Sequence, residues 1–492
     1  MQDGTLLAAV DLGSNSFRLE IGRLEHGLIH RVEYRKETVR QGGDLDDERN
    51  LSPAAMQRGW DCLARFAERL AGFAPARVRA VATQTLREAR NREEFIRRGS
   101  AILGFPIEVV SGPEEARLIY QGVARLLPQS NERRLVVDIG GRSTELILGQ
   151  QFTAAAVASC RVGSVAWSGR YFAGGDLTRE AFAAAETAAR AVLDEVAQAY
   201  HASHWDVAYG SSGTMGAVGT VLAAAGHGEG LITRAGLDWL HEQLLRARHA
   251  DRVKLDGLKD DRRPVIGGGV SIVRALFDLL GLEQITVAQG ALRQGALYDL
   301  LEREQPGADL RSASVQGLVQ RFGVDEAQAA RVAQLAGRLF AQAAPAGSED
   351  AARQLQWAAR LHEIGGRISH EGYHRHGAYI LAHADAAGFA QAELQALGQL
   401  VLGHRGKLRK LEAALADPAL ALQLMCLRTA VALCHARRAP DVDGLQLQLQ
   451  GSRCTVRTRP GWARAYPQSA HLLSEEALAW QKTPWDYHAE LA

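Results

Sequence analysis

Val10-Asp11-Leu12-Gly13-Ser14-Asn15-Ser16-Phe17 closes one apolar run, Leu6 to Val10, and opens another, Phe17 to Ile21. A strand, a polar glycine turn and a second strand make a hairpin signature. The pattern returns far downstream. There Leu135-Val136-Val137-Asp138 breaks at Ile139-Gly140-Gly141-Arg142-Ser143-Thr144 and resumes as Glu145-Leu146-Ile147-Leu148. A unit repeated at this distance signals two duplicated domains rather than a solenoid. Each copy brings an aspartate to the end of an apolar strand.

Between and beyond the hairpins the punctuation is clear. Met56, Trp60, Leu63, Phe66 and Leu70 recur at helical spacing after Pro53, which predicts a helix. Val78 to Ala82 reads as a strand running into Thr83-Gln84-Thr85, and Ile107 to Val110 as a strand running into Ser111-Gly112-Pro113-Glu114-Glu115. Pro113 suits a helix start, which puts both glutamates in a first turn. A third strand-to-glycine junction follows at Val207 to Thr214, and a triple glycine at Gly267 to Gly269. After about residue 306, Ala, Leu, Gln and Arg dominate and favour helix. The last fifty residues return to alternation, as in Leu445-Gln446-Leu447-Gln448-Leu449, beyond a break at Pro440 to Gly444.

The chain of 492 residues is too long for one core, and its 47% hydrophobic and 23% charged residues are ordinary for globular domains. A net charge of +1 supplies no global attraction for polyanions, so a phosphate ligand requires a locally built potential. Five scattered cysteines, none spaced as CxxC, argue against a disulfide framework or zinc site and for a reducing cytoplasm. There is no basic stretch leading into an apolar run of the signal-peptide kind. No apolar run reaches the roughly 18 residues of a membrane span. The expectation is a cytoplasmic protein with no membrane and no specific nucleic-acid partner.

Glycine turns between strands expose successive backbone N–H groups that cradle phosphate oxygens, with Ser and Thr hydroxyls as further donors. Two such turns facing one another would clamp a phosphate chain from both sides. The plain alternative is aspartates that only shape turns. Magnesium takes oxygen ligands and keeps waters, so one or two carboxylates with substrate phosphates suffice. Asp11 and Asp138 are the leading candidates, with Glu145 third.

Six segments in order carry a specific resemblance: VDLGSNSF (Val10–Phe17), TQTLR (Thr83–Arg87), SGPEEARL (Ser111–Leu118), VDIGGRSTE (Val137–Glu145), GSSGT (Gly210–Thr214) and QGALRQG (Gln289–Gly295). Together they resemble the family of exopolyphosphatases and guanosine pentaphosphate phosphohydrolases. Leu361-His362-Glu363-Ile364-Gly365 and His370 to Leu381 are similar to the helical module of its long members. The resemblance implies an α/β fold of two actin-like, ribonuclease-H-like domains, then an α-helical HD-like domain and a small α+β cap. The implied divisions are 1–125 with a returning helix near 290–305, then 126–305, 306–438 and 439–492, the last strand-rich.

The implied activity is magnesium-dependent hydrolysis of the terminal phosphate of linear polyphosphate, taken first, or of guanosine pentaphosphate, by a homodimer. Carried over by position, Glu115 activates water, Asp138 is the second-domain acid, and Arg87 contacts phosphate. From spacing alone Glu114 and Glu115 are equal candidates for the base, and Glu114 reads as a solvated first-turn residue. Asp11, Asp138 and Glu145 fall near the metal. Ser14, Asn15, Ser16, Gly140, Gly141, Arg142, Ser143, Thr144, Gly213 and Thr214 fall in the phosphate loops.

Some positions depart from the family pattern. Arg142 stands at a usual glycine, where its side chain is either solvated or aimed at a phosphate oxygen. Gln289 and Gln294 replace expected acids. The helical module has His362-Glu363 and His435 but lacks the aspartate of an HD metal site. His374, Arg375, His376, His404, Arg405 and Lys407, extended by Arg409 and Lys410, read either as a solvated face or as a groove for the remote length of a polyanion. Arg262 and Arg263 suit the cleft edge or a guanosine nucleotide. Competing classes are a small-molecule kinase of the same superfamily, against which SGPEEARL argues, and a noncatalytic nucleotide sensor, against which Glu115, Asp138 and Arg87 together argue.

Overall fold

In the computed structural model, which describes residues 1–128, 130–304 and 309–491, the opening apolar run is strand β1 (Leu6–Leu12), buried along almost all its length. Side chains alternate across a strand, and here both faces are covered. Ala8, Val10 and Leu12 pack with Met56, Trp60, Leu63 and Phe66 of the helix Pro53–Leu70. Leu7 and Ala9 pack with Ala296, Leu297 and Leu300 of the helix Leu292–Glu304. Asp11 shares the face of Leu7 and Ala9, so the strand's period directs its carboxylate toward this second helix.

β2 (Ser16–Glu25), β3 (Leu28–Thr38), β4 (Val78–Ala82) and β5 (Ile107–Val109) complete a sheet of order β3-β2-β1-β4-β5. The second hairpin builds a matching sheet from β6 (Arg133–Ile139), β7 (Thr144–Gln150), β8 (Thr153–Cys160), β9 (Val207–Ser211), β10 (Leu231–Thr233) and β11 (Gln284–Val287), in the order β10-β11-β9-β6-β7-β8. In each sheet an antiparallel three-strand meander continues into parallel strands. The registers match too: Asp11 stands opposite Arg18 in the first hairpin, and Asp138 opposite Glu145 in the second. Leu135, Val137 and Ile139 join one core while Val136 joins another, and the period places Asp138 with Val136.

That second core contains the helix Gly112–Ala124, with Ala116, Leu118, Ile119, Tyr120 and Val123 buried against Val136, Ile147, Val81 and Leu292. It crosses the helix Leu292–Glu304 at backbone contact. A Cβ on Gly122 would lie 2.1 Å from the Ala291 carbonyl oxygen, and one on Gly295 would lie 1.8 Å from that of Leu118. Only glycine permits this approach. The glycines of QGALRQG thus act in packing. An ion network ties the same helices: Glu114 accepts from Arg117 at 2.8 Å through both oxygens, and Asp299 accepts from Arg79, Arg117 and Arg303. These guanidinia outweigh burial and hold Asp299 far below the usual carboxylate range.

Residues 1–308 form one compact unit and residues 309–492 another. The second is built on the helices Leu310–Arg321, Glu326–Ala343, Glu349–Leu361, Tyr373–His383, Gln391–Gly403 and Pro418–Leu433. β12 (Gln446–Gln450), β13 (Arg453–Arg457) and β14 (Asp486–Glu490) form a small sheet beside the helices Trp462–Ala465 and Pro467–Trp480. Leu447, Cys454, Val456, Trp480 and Tyr487 sit in the same hydrophobic core as Val332, Leu400 and Leu427. The C-terminal strands therefore close the core of the helical module and enclose none of their own. Among the described residues no helix is long and apolar enough to cross a membrane.

Candidate active site

A cleft of about 410 Å³ lies where the two hairpin turns meet. Asp11 and the turn Gly13 to Ser16 line one side, and Asp138, Ile139, Gly140, Gly141 and Ser143 the other. Gly141 touches the opposing turn, since a Cβ there would be 3.1 Å from the Ser14 Cβ. Gly42 donates to the Ser14 carbonyl at 2.7 Å and fixes the first turn from behind. Ser212, Gly213 and Thr214 form a third wall, at the N-terminus of the helix Ser212–Ala224. Ser212 holds a φ of 97°, a strained region for a side-chain-bearing residue, costing about 1–3 kcal/mol and concentrated at functional sites. Its hydroxyl accepts from the backbone of Thr214 at 3.1 Å and of Met215 at 3.2 Å, capping the helix.

The helix Gly112–Ala124 presents its first turn to the cleft. Ser111 caps it by accepting from the Glu114 N–H at 3.2 Å. From there Glu115 points into the cleft lining, while Glu114, 1% exposed, is turned into the Arg117 and Arg79 network. The expectation of a solvated Glu114 is corrected: it is a buried structural acid, and one residue of register separates the two roles. Arg87 Nη1 donates to Glu115 Oε2 at 2.7 Å and to the Val110 carbonyl at 3.0 Å. Arg87 lies behind Glu115 and outside the cleft lining, so it orients a carboxylate here and does not face the cavity.

Four buried acids converge on this region. Burial raises the pKa of Glu115, opposed by Arg87 and reinforced by Asp11. Burial raises Asp138 to about 6, opposed by the Ser211 hydroxyl and reinforced by Glu115. Glu145 is driven well above its ordinary range by burial, then by Glu115 and Asp138. Asp11 is already engaged, by Arg18 at 3.1 Å and Arg293 at 3.4 Å. Asp138 and Glu145, by contrast, are held by hydroxyls: Ser211 on the first, Ser159 at 2.8 Å and Ser143 on the second. Among the described residues no three acidic, cysteine or histidine side chains converge as a ready metal cage. Two buried carboxylates short of positive charge do fit the sparser donor set of magnesium, which completes its shell with water and phosphate.

Cations stand across from these acids. Arg18, Lys36, Lys259, Arg262 and Arg293 all line the cleft. The Arg262 guanidinium lies against Gly213, where a Cβ would meet it at 2.2 Å. Burial and then neighbouring Arg18 lower its pKa, the mark of a cation poised for an anion. Helix N-terminal N–H groups beside it add to the pull on phosphate oxygens. Lys36 bridges to Asp261 at 2.8 Å.

Ser14, Asn15, Ser16, Gly140, Gly141, Ser143, Gly213 and Thr214 are brought to the cavity, whereas Arg142, Thr144 and Glu145 are not in its lining. Thr144 is fully buried and donates to the Val162 carbonyl at 2.6 Å, because it starts β7 on the inward face. Arg142 fits neither expectation, solvated or phosphate-facing. It spans to the first lobe, donating to the Gly42 carbonyl at 2.7 Å and to Glu88 at 2.9 Å. Gln294 donates to both oxygens of buried Glu20 at 2.7 Å.

In the helical unit, Arg375, Arg405 and Lys407 are exposed, and His374 and His376 half-buried. His404 is not available to a groove. It is 2% exposed, donates from Nδ1 to the Val401 carbonyl at 2.6 Å, and faces the His362 ring at 5.3 Å. Burial keeps its pKa well below the ordinary histidine value. The residues missed by sequence reasoning are Arg18, Lys36, Lys259 and Arg293. Arg18 lies inside the apolar run after the first glycine turn, Lys36 and Lys259 lie in polar segments, and Arg293 sits inside QGALRQG.

Residues 21–304 match the model of the Ppx/GppA phosphatase family, and residues 310–477 match that of domain III of the same family. A guanosine-5'-triphosphate,3'-diphosphate pyrophosphatase of Vibrio cholerae is 38% identical over 491 residues, covering 99% of this chain and 98% of that protein. The enzyme of the same description from Vibrio vulnificus is 38% identical, covering 96% and 95%. Among solved structures, an exopolyphosphatase-like protein superposes with a TM-score of 0.54 at 25% identity, over 61% of this chain and 98% of its own. An exopolyphosphatase from Cytophaga hutchinsonii shares the fold with a TM-score of 0.56 at 23% identity, over 62% of this chain and 100% of its own.

Proposed function

Because the chain belongs to the Ppx/GppA phosphatase family, we propose that its cleft hydrolyses the terminal phosphoanhydride of guanosine 5'-triphosphate 3'-diphosphate, releasing orthophosphate. The observation that carries the reading is the Glu115 carboxylate, set at a helix start beside Asp11 and Asp138 in a cavity walled by two phosphate-cradling turns. Motifs alone put polyphosphate first; the activity named for the Vibrio relatives reverses that order.

Phosphoryl transfer depends on alignment and charge neutralisation more than on covalent help. Glu115 takes a proton from a water in the cleft, and the water oxygen bonds to the terminal phosphorus. The bond from that phosphorus to its bridging oxygen breaks, and the electron pair stays on the shortened chain. Burial makes Glu115 a stronger base and Arg87 fixes its direction; such a base is typically worth about 10²–10⁴ in rate. Arg262 and the backbone around Gly213 and Thr214 hold phosphates that are not transferred. Magnesium, held by Asp138 with Glu145 behind it, would supply charge neutralisation for the phosphate oxygens.

Linear polyphosphate is the second reading, supported by the 25%-identical exopolyphosphatase-like structure and by the chemical sameness of the bond cleaved. Phosphate release from the nucleotide, from short polyphosphate and from long polyphosphate, each with magnesium and with chelator, tests both. Faster turnover of the nucleotide is expected. Release from polyphosphate alone transfers the assignment to the second reading, and release from none of the three rejects the hydrolase.

A further inference from the structure

Five side chains form one hydrogen-bonded line from the second-lobe turn to the base. Arg142 Nη2 and Nε donate to Glu88 Oε2 at 2.9 and 3.2 Å. The other Glu88 oxygen accepts from Gln84 Nε2 at 2.6 Å. Gln84 Oε1 accepts from Arg87 Nη2 at 2.6 Å and Nε at 3.1 Å. Arg87 Nη1 then donates to Glu115 Oε2 at 2.7 Å. Glu88 accepts from both of its neighbours and Arg87 donates to both of its own. Gln84 must turn its NH₂ to the carboxylate and its oxygen to the guanidinium, so neither neighbour is free to move without it. Arg142 is 24% exposed and Glu88, Arg87 and Glu115 are 10–11% exposed, which shields the line from competing water.

We propose that Arg142 is a positioning residue for Glu115, acting through Glu88, Gln84 and Arg87. This rests on the reading of Glu115 as the base. Arg142 departs from the turn that carries Gly140, Gly141 and Ser143, and its fork also holds the Gly42 carbonyl. Gly42 in turn binds Ser14. One guanidinium therefore senses both phosphate turns at once, and the line to Glu115 is complete only when the two turns are in register. Without Arg142, Glu88 keeps one partner, Gln84 can flip, and Arg87 loses the amide that fixes its plane. A lysine cannot reproduce the fork, because its ammonium is a point charge with no fixed plane.

Arg142→Met is expected to lower kcat about tenfold, within the range known for small misplacements of catalytic groups, with KM changed less than about twofold. Arg142→Lys should recover part of the loss. On a Glu115→Gln background Arg142→Met should cost nothing more, because the group it positions is gone. A raised KM with unchanged kcat would make Arg142 a substrate contact and overturn the proposal, as would a full tenfold loss on the Glu115→Gln background. Glu88→Gln serves if Arg142→Met fails to fold. A crystal structure of the variant decides independently of the substrate. Displacement of Gln84 and Arg87 from Glu115 supports the line, and unmoved side chains refute it. Failure of the substrate assignment is read separately, as absent phosphate release by the wild type.

Discussion

Replacing Gly295 by alanine tests whether helix spacing sets the catalytic geometry. The added Cβ would lie 1.8 Å from the Leu118 carbonyl oxygen, 2.6 Å from its carbon and 3.0 Å from its Cα. These are backbone atoms in mid-helix and cannot rotate away. To reach an ordinary contact of 3.4 Å from 1.8 Å, the helices must separate locally by about 1.6 Å, an overpacking that costs roughly 1–3 kcal/mol. For a unit of this size each kcal/mol lowers Tm by about 1–2 °C. The displacement matters more for turnover, because Glu115 rides on one of these helices and Arg293 on the other. A 1 Å misplacement can cost about 10²-fold in rate. Differential scanning calorimetry with steady-state phosphate release should show a lowered Tm and kcat reduced at least tenfold. Gly169→Ala is the control, since nothing lies within 4 Å of its Cβ and alanine favours the helix by about 0.5–1 kcal/mol. Gly295→Ala with wild-type Tm and wild-type kcat would refute the reasoning.

Glu115→Gln should lose about 10²–10⁴ in kcat at near-constant KM, whereas Glu114→Gln should lose about 1–3 kcal/mol of stability while keeping most turnover; paired kinetics and denaturant curves distinguish them. Asp138 has its folded pKa raised to about 6 by burial, so the native state holds a proton that the unfolded chain has released. Its contribution is fully present below the unfolded value near 4 and is lost as pH rises through about 6, an effect on the order of 3 kcal/mol. Asp138→Asn should therefore be inactive yet more stable than wild type in chelator at pH near 8, with the difference vanishing near pH 4. An equal Tm across that window would contradict it. Chelation should abolish phosphate release and magnesium restore it; turnover persisting in chelator would remove Asp138 and Glu145 from a metal role.

The hairpins at Asp11 and Asp138 were legible because strand burial and glycine turns are local properties, and period-two alternation carries the aspartates to one face. Glu115 was separable from Glu114 only by resemblance, since both occupy a first turn and the groups that complete the Glu114 and Arg117 network, Arg79 and Asp299, lie far away in the chain. Arg142 misled for a related reason: its partners Gly42 and Glu88 come from another lobe. Thr144 reads as a loop hydroxyl until the register places it inward at the start of β7. His404 sits among charges in sequence but on the buried face of its own helix end. The glycines of QGALRQG look like a ligand loop because glycine needed for helix contact and glycine needed for phosphate contact leave the same trace.

The paired registers, Asp11 against Arg18 and Asp138 against Glu145, give the two hairpins the same pairing and unequal charge, a balanced acid and cation in one and two acids in the other. A pseudo-twofold scaffold would by itself accept an elongated anion in either direction. The exchange of a cation for an acid at one equivalent place abolishes that equivalence, so the cavity has a head and a tail. That asymmetry adds to the one-sided wall of Ser212, Gly213 and Thr214 in making the two ends of the cleft unlike.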